Sequence, residues 1–297
     1  MLETFCQTHQ IPLATGVPLD KKCTFQIGGP ADYFLEPACM EQLAALLPFL
    51  RQKAIPYLIL GRGSNMLFAD TGFRGAVVGL GDNFSEITLA DEATIFCQSG
   101  ASLNRLCRFA WEQGLTGLEF AHGIPGSVGG AVYMNAGAYG GEMKDVLLAS
   151  YYVDPDGTVG ALNGEEQKLG YRTSAYAGGD RVITGAVLRL QKGDKDTIQA
   201  RMEELMNRRR TNQPLEYPSA GSTFKRPEGA FAAALIDQCG LKGLAVGGAQ
   251  VSEKHAGFVI NTGGATGADV RQLMVQVRQR VQEETGYVLE PEVVICD

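Results

Sequence analysis

Residues 123–142, GIPGSVGGAVYMNAGAYGGE, set a proline-stiffened turn at Gly123-Ile124-Pro125-Gly126-Ser127 before Gly129 and Gly130. A second glycine run follows at Asn135-Ala136-Gly137-Ala138-Tyr139-Gly140-Gly141. So little side-chain bulk lets backbone pack against a large flat ligand, and it also suits a glycine-rich crossover between sheets. Upstream, residues 41–51 put Leu43, Leu46, Leu47 and Leu50 at helical spacing, and Tyr57-Leu58-Ile59-Leu60 reads as a buried strand. That strand opens directly into Gly61-Arg62-Gly63-Ser64-Asn65, whose backbone N–H groups could converge as an anion nest around a diphosphate. An ordinary strand-ending turn fits the same five residues. There is neither a GxxxxGK[ST] nor a GxGxxG opening a helix, so a P-loop and a dinucleotide-binding Rossmann unit are not supported.

Around these loops the apolar patterning predicts strands over 75–80, 87–90, 94–98, 146–153 and 182–190, and a helix over 103–113. Asp154-Pro155-Asp156-Gly157 reads as a turn. The order is α+β rather than a regular βαβ repeat. The pattern changes near Gly193-Asp194. Ile198, Met202, Leu205 and Met206 then define an amphipathic helix ending in Arg208-Arg209-Arg210. The last hundred residues predict a helix over 230–238, a strand over 258–260, a helix over 267–284 and a strand over 288–295. Thr266 and Asp269 fit a capping-box start, and Val270, Leu273, Met274, Val277 and Val281 form one apolar stripe.

The chain has 297 residues, enough for two or three units that each bury a core, and a formal net charge of −7. An acidic chain is a poor nucleic-acid binder, because such binding neutralises phosphates with Lys and Arg. The seven cysteines are scattered and form no Cys-x-x-Cys pair, which reads as reduced, mostly buried thiols of a cytoplasmic protein. His9, His122 and His255 lack metal-ligand spacing, so no metal is expected. No export signal is read at MLETFCQTHQ, and no apolar run is long enough to span a membrane.

Two short segments remain. Tyr171-Arg172-Thr173-Ser174 offers an arginine that is either a solvated side chain or a planar fork for a carboxylate or phosphate. PSAGSTFKRP, residues 218–227, sets Ser222 between a glycine turn and Lys225 and leaves open structural punctuation, a phosphate grip or a catalyst. A nucleophilic serine is disfavoured, since there is no GxSxG elbow and no evident histidine partner.

Together GRGSN (61–65), GIPGSVGGAVYMNAGAYGGE (123–142), YRTS (171–174), SAGSTFKRP (219–227), AGFVINTGGATGADV (256–270) and LEPEV (289–293) resemble the MurB family of UDP-N-acetylenolpyruvoylglucosamine reductases. The motifs stand in the family's order and span nearly the whole chain from Phe25 onward. The resemblance implies an α+β, three-domain flavoprotein: two subdomains (1–82 and 83–193) forming an FAD-binding unit of the vanillyl-alcohol-oxidase type, and a C-terminal α+β substrate domain (194–297). It implies FAD, with nothing to suggest covalent attachment, NADPH as reductant, and reduction of an enolpyruvyl nucleotide sugar to UDP-N-acetylmuramate. A monomer is expected, and the charge and hydropathy noted above leave no nucleic-acid partner and no membrane span.

By the same resemblance Arg172, Ser222 and Glu292 are the catalytic residues. Gly61, Arg62, Gly63, Ser64, Asn65, Gly123, Ile124, Pro125, Gly126, Ser127 and Gly129 hold the cofactor, and Lys225, Asn135 and Arg210 bind substrate. Some relatives carry a substrate-clamping tyrosine on a longer loop after YRxS. Here Ala177-Gly178-Gly179-Asp180 is short, as in a shorter-loop branch, and Tyr176 is the nearest candidate for the clamp. The competing expectations are a flavin oxidase or dehydrogenase for another sugar or hydroxy acid, and a nucleotide-sugar-binding module without catalysis.

Overall fold

The computed structural model describes residues 1–297 and divides into two compact units. The first comprises residues 1–15, 33–62 and 75–207, and the second residues 16–32, 63–74 and 208–297.

In the first unit a five-stranded antiparallel sheet runs in the order Val159–Asn163, Leu147–Val153, Val182–Arg189, Thr94–Gln98, Ile87–Leu89. Alternation aims Ile95 and Cys97 at a core shared with Leu103, Leu106, Cys107 and Ala110 of the helix Leu103–Glu112. Ser102 caps that helix by accepting from the N–H of Arg105. Gly185 lies under the ring of Phe96, where a Cβ would sit 2.9 Å from a ring carbon, so an aromatic covers the gap that glycine leaves in the strand. A second sheet, in the order Leu13–Pro18, Pro30–Leu35, Phe73–Gly79, Tyr57–Leu60, is backed by the helix Met40–Gln52. Leu43, Leu46, Leu47 and Leu50 are all fully buried, as their spacing predicts.

The second unit holds an antiparallel sheet in the order Ser219–Ser222, Phe258–Asn261, Ala249–Val251, Ala245–Val246. The helix Gly267–Thr285 starts on the predicted capping box: Thr266 Oγ1 accepts from the N–H of Asp269, and Asp269 Oδ2 accepts from the N–H of Thr266. Its stripe from Val270 to Val281 is buried, and Gly286 closes it in the left-handed conformation at φ +78°.

Several elements differ from the sequence reading. The helix that was read as ending in Arg208-Arg209-Arg210 runs Lys195–Asn212, so it continues two residues past them and holds Arg209 and Arg210 in its last turn. The predicted strand over 288–295 shrinks to Val294–Cys296, paired in parallel with Met66–Phe68. Residues 289–292 instead form an extended segment bridged at single points, Phe224 to Pro291 among them. The N-terminal helix Leu2–Thr8 and the strands Leu13–Pro18 and Pro30–Leu35 have no counterpart in that reading, because their apolar residues are too few to set a period. All seven cysteines are free and six are buried, with Cys39 half-buried. No helix is long and apolar enough to cross a membrane.

Candidate active site

The loop Gly61–Asn65 follows the strand Tyr57–Leu60, and none of its five backbone N–H groups donates to a backbone carbonyl. The N–H groups of Gly126 and Ser127 are likewise unused, whereas those of Gly123, Ile124, Val128 and Gly129 bond to Asn104 Oδ1 (2.7 Å), Ala121 O, Ala101 O and Ser99 O. The two loops abut. A Cβ on Gly61 would collide with Ser127 Oγ, the hydroxyl that caps the short helix Val128–Tyr133 by accepting from the N–H of Gly130. Amide donors without protein partners are the chemistry a diphosphate requires, and only glycine at 61 lets residues 61 and 127 approach this closely. The residues present therefore fit the phosphate end of a dinucleotide such as FAD.

The rest of the glycine run has a mixed origin. A Cβ on Gly129 would stand 2.7 Å from Ser99 Cβ, one on Gly137 2.8 Å from Glu142 Cβ, and one on Gly141 2.8 Å from the ring of Phe120. At these positions glycine serves packing within the protein. Ile124 packs against the core beneath the sheet, and Pro125 is exposed. Arg62 pairs with Asp82 at 3.1 Å on the surface, an ion pair worth little in water.

Also in the first unit, Gly170 and Thr173 exchange backbone hydrogen bonds (3.1 and 3.3 Å) and so close a tight turn whose two corners are Tyr171 and Arg172. Arg172 has φ +53°, a left-handed backbone that such a corner demands and that usually selects Gly or Asn. The Arg172 guanidinium carbon stands 5.4 Å from the centroid of the Tyr171 ring. Asn135, expected at the substrate, is 1% exposed and has φ +44°. Its Nδ2 donates to Glu142 Oε2 (2.6 Å) and to Gly170 O (3.0 Å), and its Oδ1 accepts from the N–H of Lys144 (2.9 Å). Both amide hydrogens are thus used within the protein. Tyr176 is fully buried, with its hydroxyl 2.7 Å from Ser150 Oγ and its ring edge-on to Tyr152. Burial in the core removes it as a clamp candidate.

In the second unit Ser222 ends the edge strand Ser219–Ser222, across from Phe258, where the ladder is irregular. Gly221 at φ +74° makes the irregularity, and a Cβ there would meet nothing within 4 Å, so conformation rather than space calls for glycine. Ser222 is half-exposed. Thr223, which the sequence reading left without a role, anchors it: its N–H donates to Gly257 O (2.8 Å), its Oγ1 accepts from the N–H of Val259 (3.0 Å), and its carbonyl accepts from the N–H of Glu292 (2.8 Å). Asn65 Nδ2 donates to Glu292 O at 3.0 Å, and the N–H of Lys225 donates to Glu290 O at 2.8 Å. Ser222, Lys225 and Glu292 thereby share one backbone framework, although they are up to seventy residues apart in sequence. Lys225 Nζ lies 3.6 Å from Glu290 Oε2, and half-exposed Ser64 lies in the same unit. Arg210 is exposed, and its carbonyl accepts from Lys254 Nζ at 2.7 Å.

Residues 31–163 match the FAD-binding domain, which contains both glycine-rich loops. The fold of this part is also seen in a Physcomitrella patens berberine-bridge-enzyme-like protein (TM-score 0.52, 15% identity, covering 65% of this chain and 44% of that one). Fold and loops together define an FAD-dependent oxidoreductase. The particular reductase follows from the other half, since residues 213–296 match the C-terminal domain of UDP-N-acetylenolpyruvoylglucosamine reductase. The Lachnoclostridium phytofermentans enzyme of that name is 50% identical over 281 residues, 93% of this chain and 90% of the relative. The crystal structure of the Thermus caldophilus MurB superposes with a TM-score of 0.81 at 37% identity over 97% of this chain and 99% of that one. This chain belongs to the UDP-N-acetylenolpyruvoylglucosamine reductase family.

Proposed function

We propose that the chain reduces the enolpyruvyl group of UDP-N-acetylglucosamine enolpyruvate to UDP-N-acetylmuramate, with NADPH as the source of electrons. The reading is carried by one observation: an FAD-binding region whose two glycine-rich loops abut at Gly61 and Ser127 stands in the same chain as the reductase family's own C-terminal domain. Gly61, Arg62, Gly63, Ser64 and Asn65 hold the cofactor's diphosphate through their amides, and Gly123, Ile124, Pro125, Gly126, Ser127 and Gly129 line the cofactor. When bound there and reduced, FAD would supply the hydride, from its N5, that the terminal enolpyruvyl carbon takes up.

Hydride addition leaves negative charge on the adjacent carbon, delocalised into the carboxylate. The planar guanidinium of Arg172 is the group suited to take that charge. Ser222 Oγ–H gives its proton to the enolate carbon, which is basic enough to deprotonate a hydroxyl held within hydrogen-bond reach. Lys225 follows Ser222 by three residues and stabilises the resulting alkoxide or holds substrate phosphate, as Arg210 does at the helix end. Glu292 acts beside the carboxylate as a protonated or hydrogen-bonded acid. The division into residues 1–82 and 83–193 for the cofactor and 194–297 for the substrate is part of the proposal, as is a cytoplasmic setting, which seven free thiols favour.

The test is an anaerobic stopped-flow trace of the flavin band, with NADPH added first and the enolpyruvyl nucleotide second. Bleaching followed by recovery is expected. In Ser222→Ala the bleaching rate holds and the recovery falls by at least about a hundredfold, within the range set by loss of a positioned acid. Equal losses in both steps would remove the serine from the chemistry, and bleaching without recovery in the unaltered protein would remove the substrate assignment.

A further inference from the structure

We propose that Asn135 and Ser174 are positioning residues that set the backbone of Arg172, an inference that rests on the role given to Arg172 above. They bracket the arginine from both sides with side-chain hydrogen bonds to one short stretch of chain. Ahead of it, Asn135 Nδ2 donates to Gly170 O at 3.0 Å, the same carbonyl that closes the turn by accepting from the N–H of Thr173. Behind it, Ser174 Oγ donates to Tyr133 O at 2.6 Å and accepts from the N–H of Tyr176 at 3.2 Å. Tyr133 and Asn135 sit together where the short helix Val128–Tyr133 gives way to the second glycine run. The turn is thus tied at both ends to the segment that follows the cofactor loop.

The geometry calls for such ties. Left-handed backbone is disfavoured for a residue with a Cβ, and Arg172 at φ +53° persists only if its surroundings hold it. Neither tying group has a donor hydrogen left for a ligand, and both are buried. Asn135 is 1% exposed and Ser174 7%, and both amide hydrogens of the asparagine are used, the second by Glu142 Oε2. Glu142 in turn pairs with Lys144 Nζ at 2.5 Å, while the N–H of Lys144 returns to Asn135 Oδ1. The network meets solvent at the Glu142–Lys144 pair and reaches the proposed reaction through Arg172.

The experiment compares holoenzymes carrying Ser174→Ala, Asn135→Gly and Arg172→Ala, alone and combined, in the two half-reactions. Asn135→Gly is chosen because glycine adopts the φ of +44° without strain, so the amide is removed while the backbone is kept. Ser174→Ala and Asn135→Gly are each expected to slow recovery of the flavin band by the enolpyruvyl nucleotide on the order of tenfold to a hundredfold, the cost of about 1 Å of misplacement. Bleaching by NADPH should stay within about twofold. Ser174→Thr, which keeps the hydroxyl, should restore the rate. In the Arg172→Ala background neither change should cause further loss, because nothing remains to position.

Losses that multiply in that background, or that appear equally in the NADPH step, overturn the inference while leaving the role of Arg172 intact. A wild-type recovery rate in Arg172→Ala alone overturns both.

Discussion

Arg172 shows why a short motif is hard to weigh from its letters. Nothing in YRTS announces a left-handed corner, since the cause lies in Asn135 and Ser174 reaching segments distant in sequence. His255 is a second residue whose state its neighbours decide. Burial pushes its imidazole below the ordinary value, a contribution from its own backbone opposes the shift, and the charge of Lys242 adds to it. Its Nδ1 accepts from the N–H of Gly257 at 3.1 Å, and its ring meets Phe258 edge-on. The folded protein therefore prefers the neutral ring, while the unfolded chain takes up a proton near pH 6.5. The stabilisation is complete above that pH and is lost as pH falls through the lowered folded value. A His255→Gln protein should show a shallower fall in melting temperature between pH 7 and pH 5 than the parent. Parallel curves would assign the acid sensitivity to other groups.

At the scale of elements, the helix Gly267–Thr285 was legible from its start signal and apolar stripe, which lie within one segment and need no distant partner to interpret, while the structure supplied its closing residue, Gly286. Thr266→Ala removes the hydroxyl that accepts from the N–H of Asp269 and should cost about 1 kcal/mol, read as a shift in the denaturant midpoint without a change in slope. A midpoint unchanged from the parent would mean that water replaces the cap at no cost. The segment 288–295 failed for the complementary reason. Its β-rich composition predicts a continuous strand, but the backbone groups of Glu290 and Glu292 are taken one at a time by Lys225, Thr223 and Asn65, which leaves a regular ladder only over Val294–Cys296. The glycine run 123–142 reads from sequence either as backbone against a flat ligand or as a crossover between sheets, and the fold gives Gly129, Gly137 and Gly141 to packing within the protein.

Across the whole molecule, burial settles the chemistry of the cysteines. Desolvation pushes Cys97 up to about 12 and Cys296 up to about 11, and it also raises Cys6, Cys23 and Cys239. A thiol held protonated and out of solvent is a poor nucleophile. With a disulfide reagent near pH 8, the native protein should therefore release colour quickly from one thiol, Cys39, and from all seven after denaturation. Rapid reaction of several thiols without denaturant would show that the cores open far more readily than their packing implies.

Family, cofactor class and the candidate residues Arg172, Ser222 and Glu292 were all open to reading from the one-dimensional chain, because each motif is contiguous and depends on residue types alone. The amphipathic helices were open too, since a period of 3.6 is written within a single element. Tertiary structure alone placed Tyr176 in the core, gave Thr223 its anchoring role, and joined Asn135 and Ser174 to the turn of Arg172. Those outcomes depend on which carbonyl or hydroxyl a distant segment brings within about 3 Å, and hydrogen-bond satisfaction of that kind exists only once the chain has closed on itself.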